Sequence, residues 1–451
     1  MRVLILGGGA VGTLVAQRLV REKNEVTIVE NDPGRCTALE DTLDAKIIQG
    51  DASSIKTLER AGLINADMLI AVTSKDAVNV LGCLIAQALS NVRIKVARLR
   101  THEVDRWRSI FSSKLLGVDL VIHPDSETSR RILQVIGLPG VSDIVQFSEG
   151  RVKLFGMTIE TGSWLDGIRI AELDQTDPSI DFLVAMIFRG RRVIVPCGED
   201  VMEAGDHIFV VVPEAELEKA FDFMAVDRQD KVERVFILGG KQLGIEAALQ
   251  LEEMGIQVKL FERDLERCEK IAAVVKDTVV VHADGTDQRI LMEENVKGID
   301  AYLALTGDDE VNIIASLLAK RLGSRKGVAL VNRIDFLPMA QLLGISSTFS
   351  TRLVVVDRIL QYVRKGNIVS VTTFREEEAE AIELVASPGS KFVGKALKDV
   401  KLPAGALVGA IVRPSGEVII PRGDSVISLD DQVIFFCLEA LIPKLEKAFI
   451  F

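Results

Sequence analysis

Cysteine and histidine are scarce here, five and four residues in 451. Cys36, Cys83, Cys197, Cys268 and Cys437 are dispersed with no Cys-x-x-Cys, and the histidines are as scattered. That spacing argues against a disulfide framework or a metal cluster and suits a reducing cytosol. Two Trp and two Tyr leave little for stacking on nucleic-acid bases. Positive charge is in deficit. A formal net charge of −11 disfavours nonspecific binding to nucleic acid or anionic lipid. Long apolar runs are missing too, although 48% of residues are hydrophobic and mean hydropathy is +0.26. Runs such as 208–212 and 235–238 are strand-sized, far short of the ~20 residues of a membrane span. Strands of parallel sheets, buried on both faces, produce such a bias. Met1-Arg2-Val3-Leu4-Ile5 enters the first strand with no signal-peptide pattern ahead of it, so the expectation is a cytoplasmic protein.

What is present is a pattern written twice. Residues 4–12 read Leu-Ile-Leu-Gly-Gly-Gly-Ala-Val-Gly and 236–244 read Phe-Ile-Leu-Gly-Gly-Lys-Gln-Leu-Gly. Gly7 and Gly239 lie 232 apart (239 − 7), as do Gly12 and Gly244, Glu30 and Glu262, and Arg35-Cys36 and Arg267-Cys268. One residue later in register, Asp51 pairs with Asp284, Thr73 with Thr306 and Asn79 with Asn312. Around the first copy, apolar runs at Val3–Leu6, Glu25–Val29, Lys46–Gln49, Met68–Val72, Ile94–Arg98 and Leu120–His123 alternate with helical stretches, among them Ala10–Lys23. Six strands with intervening helices predict a doubly wound parallel sheet. Ser126–Ile136 reads as a helix leading away, and Leu138-Pro139-Gly140 marks a boundary. From about 142 to 224, short β-like runs and Gly turns replace the alternation and predict a small α+β module. Pro196-x-Gly198 recurs as Pro421-x-Gly423, and Asp206 as Asp431.

The expected fold class is therefore α/β: two Rossmann-like doubly wound parallel-sheet domains, each followed by a small α+β domain. The boundaries read 1–140, 141–228, 229–366 and 367–451. Duplication on this scale implies that the two nucleotide-type domains could pack about a pseudo-two-fold axis, as homodimers do.

In the first copy, Gly7 permits the tight turn, Gly9 lets a pyrophosphate approach, and Gly12 lets helix and strand pack closely. Ala10 and Val11 open the helix, whose N–H groups and dipole suit phosphate. Glu30, 18 residues past Gly12, stands where a carboxylate accepts both ribose hydroxyls and repels a 2′-phosphate. That favours NAD or ATP/ADP over NADP. The combination is a specific signal, unlike the glycines alone. In the second copy Lys241 replaces the middle glycine and Glu262 survives. Two readings stay open there: a weaker or different nucleotide site, or a structural pseudo-site. Arg98 and Arg100 are candidate phosphate contacts or surface ion-pair partners. Asp51 could contact adenosine or serve a helix cap. Cys36 and Cys268 read as small core residues, and Glu376-Glu377-Glu378 as a solvated edge. His207, flanked by Asp206 and an apolar strand, reads as structural. No proton relay beside a nicotinamide, no Ser-His-Asp elbow and no Walker A motif appears. Binding without turnover is the preferred reading, with an NAD-dependent oxidoreductase or a cyclic-dinucleotide-responsive regulator as alternatives.

Gly-Gly-Gly-Ala-Val-Gly at 7–12, Val-Glu-Asn-Asp at 29–32, Gly-Asp-Ala at 50–52, Ala-Val-Thr-Ser-x-Asp at 71–76 and Ala-Arg-Leu-Arg at 97–100 resemble the RCK (KTN) N-terminal domain. The modules at 142–224 and 368–451 resemble the RCK C-terminal domain. The resemblance implies a cytoplasmic gating ring, a homo-oligomer docked on a potassium-translocating membrane subunit and switched by NAD(H) and ATP/ADP. It implies binding residues Gly7, Gly9, Ala10, Val11, Gly12, Glu30, Asp51, Ala52, Thr73 and Arg98, with Arg100 reaching phosphate from a neighbouring domain. The second copy would offer Gly239, Lys241, Gly244, Glu262 and Asp284. No catalytic or metal-binding residue is implied.

Overall fold

The computed structural model describes residues 1–101, 116–136, 141–176, 179–190, 192–224, 232–345, 347–363, 368–374 and 379–450. The Leu138–Gly140 boundary and the Glu376–Glu378 run lie outside them. Contacts divide the chain into two units: Met1–Ile132 with Arg234–Tyr362, and Leu133–Glu233 with Val363–Phe451. Neither unit is continuous in sequence. Each unit gathers one copy of a module with its duplicate.

The first unit holds two parallel six-stranded sheets. In the first half β1 (Arg2–Leu6), β2 (Glu25–Glu30), β3 (Lys46–Gln49), β4 (Met68–Ala71), β5 (Ile94–Arg98) and β6 (Leu120–Ile122) lie in the order β3-β2-β1-β4-β5-β6. The strands are as apolar as both-face burial demands: Leu4, Ile5, Leu6 and Met68 to Ala71 are all buried. Helices α1 (Ala10–Arg21), α2 (Pro33–Thr42), α3 (Ile55–Arg60), α4 (Asp76–Leu89) and α5 (Pro124–Ile136) connect or follow them. α1 stops two residues short of the expected Lys23, which takes φ +60, and α5 starts two residues early, on Pro124. Asp32 caps α2 by accepting from Arg35 N at 2.8 Å, with Pro33 at the first turn. The order reverses between β1 and β4, which opens a crevice at the carboxyl ends of the strands. The second half repeats the plan, with an isomorphous sheet order from Arg234–Leu238 to Ser347–Phe349.

The halves meet through α5. Ser126 Oγ donates to Glu246 Oε1 at 3.1 Å, Ser129 Oγ to Gln250 Oε1 at 3.0 Å, and Arg131 Nη1 pairs with Asp357 Oδ2 at 3.0 Å. Glu246 and Gln250 lie on Gln242–Glu253, the glycine-loop helix of the second half. Asp357 lies on Thr351–Val363, the counterpart of α5.

The second unit holds two five-stranded antiparallel sheets, not Rossmann sheets. Phe147, Leu154, Met186, Phe188 and Phe209 from one share a core with Ala381, Ala410, Ile434 and Phe436 from the other. Arg189 grips buried Asp206 through Nε and Nη2 at 2.8 and 2.7 Å, and Arg413 holds buried Asp431 through Nη1 on Oδ2 alone. His207 is tied by its ring nitrogens to Ser142 Oγ at 3.2 Å and Thr158 Oγ1 at 3.1 Å, with its edge on Phe209. That is a structural histidine.

Candidate functional site

Gly7 leaves β1 with φ +102, a conformation open to glycine, and a Cβ there would press on the Thr73 backbone at 3.0 Å. A Cβ on Gly12 would overlap the Gly7 carbonyl oxygen. The helix can therefore approach the turn only without a side chain. Gly9 differs. Its φ of −74 suits any residue, and a Cβ there would meet nothing within 4 Å. The backbone does not require this glycine; the space in front of it does. It N-caps α1 with no side-chain bond, so the first N–H groups of the helix face open space, as an anion site needs.

Glu30 closes the other side of the turn. Its Oε2 accepts from Gly8 N at 2.7 Å, and Oε1 from Asn31 N and Asp32 N at 2.8 and 2.9 Å. A carboxylate offers about four acceptor positions, and three are taken. The expectation that Glu30 accepts both ribose hydroxyls narrows to one, on Oε2. Asp51 turns its Oδ1 to Ser53 N and Oγ at 2.8 and 2.7 Å, and those Ser53 hydrogen bonds hold its carboxyl below the usual range. Cys36 is a core group: its Sγ contacts the Glu30 carbonyl at 3.5 Å, and burial first, then Glu30, raises its pKa.

At the phosphate end a residue overlooked in the sequence governs the geometry. Asn79 is fully buried. Its Oδ1 accepts from Thr73 N at 2.8 Å and Oγ1 at 2.7 Å, while Nδ2 donates to Thr73 O at 3.1 Å and Arg98 O at 2.8 Å. One amide thus stitches the loop after β4 to the end of β5. Arg98, 9% exposed, donates from Nη2 to Thr73 O at 2.8 Å, and its Nε has no hydrogen-bond partner among the described residues. Burial, reinforced by the charge of Arg100 and opposed by Asp76, pulls its pKa down to about 10. It remains a cation at neutral pH. Asp76 Oδ2 accepts from Arg100 N and Thr101 N at 2.8 and 2.9 Å, which fixes the backbone of the arginine loop.

These residues open on one cavity of about 1320 Å³. Gly7, Gly9, Ala10, Val11, Glu30, Asp51, Ala52, Thr73, Arg98 and Arg100 line it; Gly12 lies beneath, as packing. The second half lines the same cavity with Lys241, Thr306, Leu330, Asn332, Arg333 and Arg352, among others. Four of its five expected binding residues, Gly239, Gly244, Glu262 and Asp284, do not. Gly239 and Gly244 repeat the turn and the close packing, with φ +108 at Gly239. Glu262 repeats the clip through Gly240 N, Arg263 N and Asp264 N at 2.9, 2.8 and 3.0 Å. Burial raises its pKa, yet those N–H groups and Arg267, 3.3 Å away, hold it below the usual value. The persistence of this acid thus has a structural cause with or without a ligand. Asn312 repeats the Asn79 stitch to Thr306 and to Leu330 O at 2.9 Å.

Models of two domain families match the chain twice each: the TrkA-N domain over residues 3–124 and 235–351, and the TrkA-C domain over 154–225 and 381–450. The Trk system potassium uptake protein TrkA of Halomonas elongata is 36% identical over 453 residues, covering 100% of this chain and 98% of that protein. The one from Vibrio alginolyticus is 37% identical over 441 residues, covering 97% and 95%. Among solved structures, the GsuK RCK domain aligns with a TM-score of 0.61 at 18% identity, covering 99% of this chain and 94% of that one. The GsuK channel bound to NAD aligns with a TM-score of 0.61, also at 18% identity, covering 99% and 78%. That level of identity supports a shared fold. No helix among the described residues is long and apolar enough to cross a membrane.

Proposed function

We propose, for a chain that belongs to the TrkA family of Trk-system potassium uptake proteins, a role as the nucleotide-sensing regulatory subunit of a potassium transporter. It would act without catalysis on the cytoplasmic face of the membrane, as a homo-oligomeric ring on a potassium-translocating subunit of the TrkH/TrkG type. Its ligands would be NAD(H) and ATP/ADP.

The observation that carries this reading is the cavity shared by the two Rossmann halves. A ligand alters a conformational equilibrium only through its difference in affinity for the two shapes. A site confined to one half would be the same in every arrangement of the pair. A cavity walled by both halves changes whenever they move, so a nucleotide in it senses their arrangement. Base and ribose, held at the Glu30–Asp51 end, would contribute affinity shared by all ligands. Phosphates that cross a domain boundary, onto the second half's wall or onto Arg100 of a neighbouring domain, would contribute the difference.

The test is a thermal-shift panel of NAD⁺, NADH, ATP, ADP and NADP⁺ on the full chain. Saturation at a hundred times Kd adds about 2.7 kcal/mol to the native state, which appears as a rise of several degrees. NAD(H) and the adenine nucleotides should produce it, and Arg100→Ala should shrink the gap between ATP and ADP more than it weakens ADP. A shift with NADP⁺ alone would overturn the reading of Glu30. No shift with any of the five would overturn the proposed function.

A further inference from the structure

The two halves share sheet order and backbone hydrogen bonds and differ in chemistry at the phosphate end. Lys241 takes φ −78 and ψ 179 where Gly9 has −74 and −176, so the lysine enters without strain and fills the space that the glycine leaves open. Its side chain crosses its own cradle: a Cβ on Gly307, the counterpart of Ser74, would run into Lys241 Nζ. The other cations are gone. The shared hydrogen-bond pattern aligns Arg98 with Leu330, through the Asn79 and Asn312 amides. It aligns Arg100 with Asn332, through Asp76 and Asp309. Lys75, which precedes α4 without a side-chain cap, becomes Asp308, a carboxylate that accepts from Val311 N at 3.0 Å.

The adenosine end is changed as well. Asn31 is replaced by Arg263, which reaches 3.6 Å from Asp284, while Arg267 lies 3.3 Å from Glu262. Arg35 stands beside Glu30 at 4.0 Å in the first half as Arg267 does beside Glu262, so the new element is Arg263, which gives Asp284 an arginine of its own half. The shared cavity includes Glu30, Asn31 and Asp51 but none of Glu262, Arg263 and Asp284. It therefore has one adenosine end, and its far wall carries Lys241, Arg333 and Arg352 beside Asp308, Asp309 and Glu310, with Arg333 paired to Glu310 at 3.2 Å.

We infer that the second half is no longer a nucleotide receptor but the wall that brings Lys241 to the first half's site, so that each chain takes one nucleotide, its phosphates facing Lys241. This rests on the nucleotide reading above and adds a count and a residue. An ammonium tethered in the emptied cradle meets phosphate as a point charge, in a cavity where screening is weaker than at an open surface.

Calorimetric titration of the full chain with ADP, and separately with NAD⁺, decides the count. One equivalent per chain is expected. Two equivalents would overturn the inference while leaving the sensing role intact, whereas no binding at all would remove the sensing role. Gly9→Lys, which copies the second half into the first, should abolish binding of both probes by at least 30-fold. A surviving equivalent in that variant would overturn the inference. If the variant fails to fold, the wild-type count alone decides. Lys241→Met keeps the bulk and removes the charge. It should leave one equivalent and weaken ADP by three- to tenfold, more at low salt than at high. Unchanged ADP affinity at both ionic strengths would overturn the role of Lys241.

Discussion

The two glycine turns of the first unit share their structural requirements and differ at the phosphate-facing positions. Gly7 and Gly239 take the same positive φ, and Gly12 and Gly244 are pinned beneath the same carbonyl. Glu30 and Glu262 clip the same N–H groups, and Asn79 and Asn312 make the same stitch. Gly9, Lys75, Arg98 and Arg100, which face the cavity, have become Lys241, Asp308, Leu330 and Asn332. The difference sorts two kinds of constraint that a motif merges. Residues needed by the fold persist in both copies, and residues needed only by a ligand persist in one. A duplicated domain thus carries its own control.

That comparison is most exposed at the glycines under the turn. Gly12→Ala and Gly244→Ala should each destabilise by about 3 kcal/mol or more, because the new Cβ meets a backbone oxygen that cannot give way. Equal losses, measured by denaturant unfolding, would place both among the fold's requirements. A loss at Gly12 alone would break the pairing.

The asparagines should come next. Asn79→Ala and Asn312→Ala each strip buried Thr backbone groups of their partners, a cost of about 1–3 kcal/mol. Only Asn79→Ala should also weaken nucleotide binding, since only there does the stitched strand end carry Arg98 and Arg100. Titration of both variants with ADP reads the difference directly.

The smallest effect is expected at the acid clip. The Glu262 carboxyl is held below its ordinary value in the folded chain, so its ionised form stabilises the fold above the unfolded carboxylate pKa. That contribution is lost as pH falls through the lower folded-state value. Melting temperature against pH should drop less steeply below pH ~4.5 for Glu262→Gln than for wild type. Parallel curves would show that the clip does not depend on charge.

Much of this was legible in the sequence. Strand runs, glycine turns and the offset between copies are local patterns, and they predict both six-stranded sheets and their carboxyl-end crevice. The roles of Gly7, Gly12 and the core thiols of Cys36 and Cys268 follow from the same patterns. Occupancy was not legible. Spacing places Glu30 at the end of β2, but only coordinates reveal that three N–H groups already fill most of its acceptor positions. The Asn79–Asn312 repeat was visible as a coincidence of offset, yet a buried amide joining two loops has no linear signature. The loss of Arg100 in the second copy was hidden by a one-residue drift in register: an offset of 233 sets it against Arg333, whereas the shared hydrogen bonds to Asp76 and Asp309 align it with Asn332. The cavity joins residues more than two hundred positions apart, a proximity that alternation of modules along the chain does not encode.

The ion pair on α5 has a consequence for how such halves choose one another. Helix Pro124–Ile136 and its counterpart Thr351–Val363 begin two residues after equivalent strands, so Asp357 occupies the position of Arg130, and Arg358 that of Arg131. Two first halves brought together in the same way would set Arg131 against an arginine, where the observed pairing sets it against Asp357. The bridge therefore favours a first half beside a second over two first halves, by the ~1 kcal/mol or less that a partly exposed ion pair supplies.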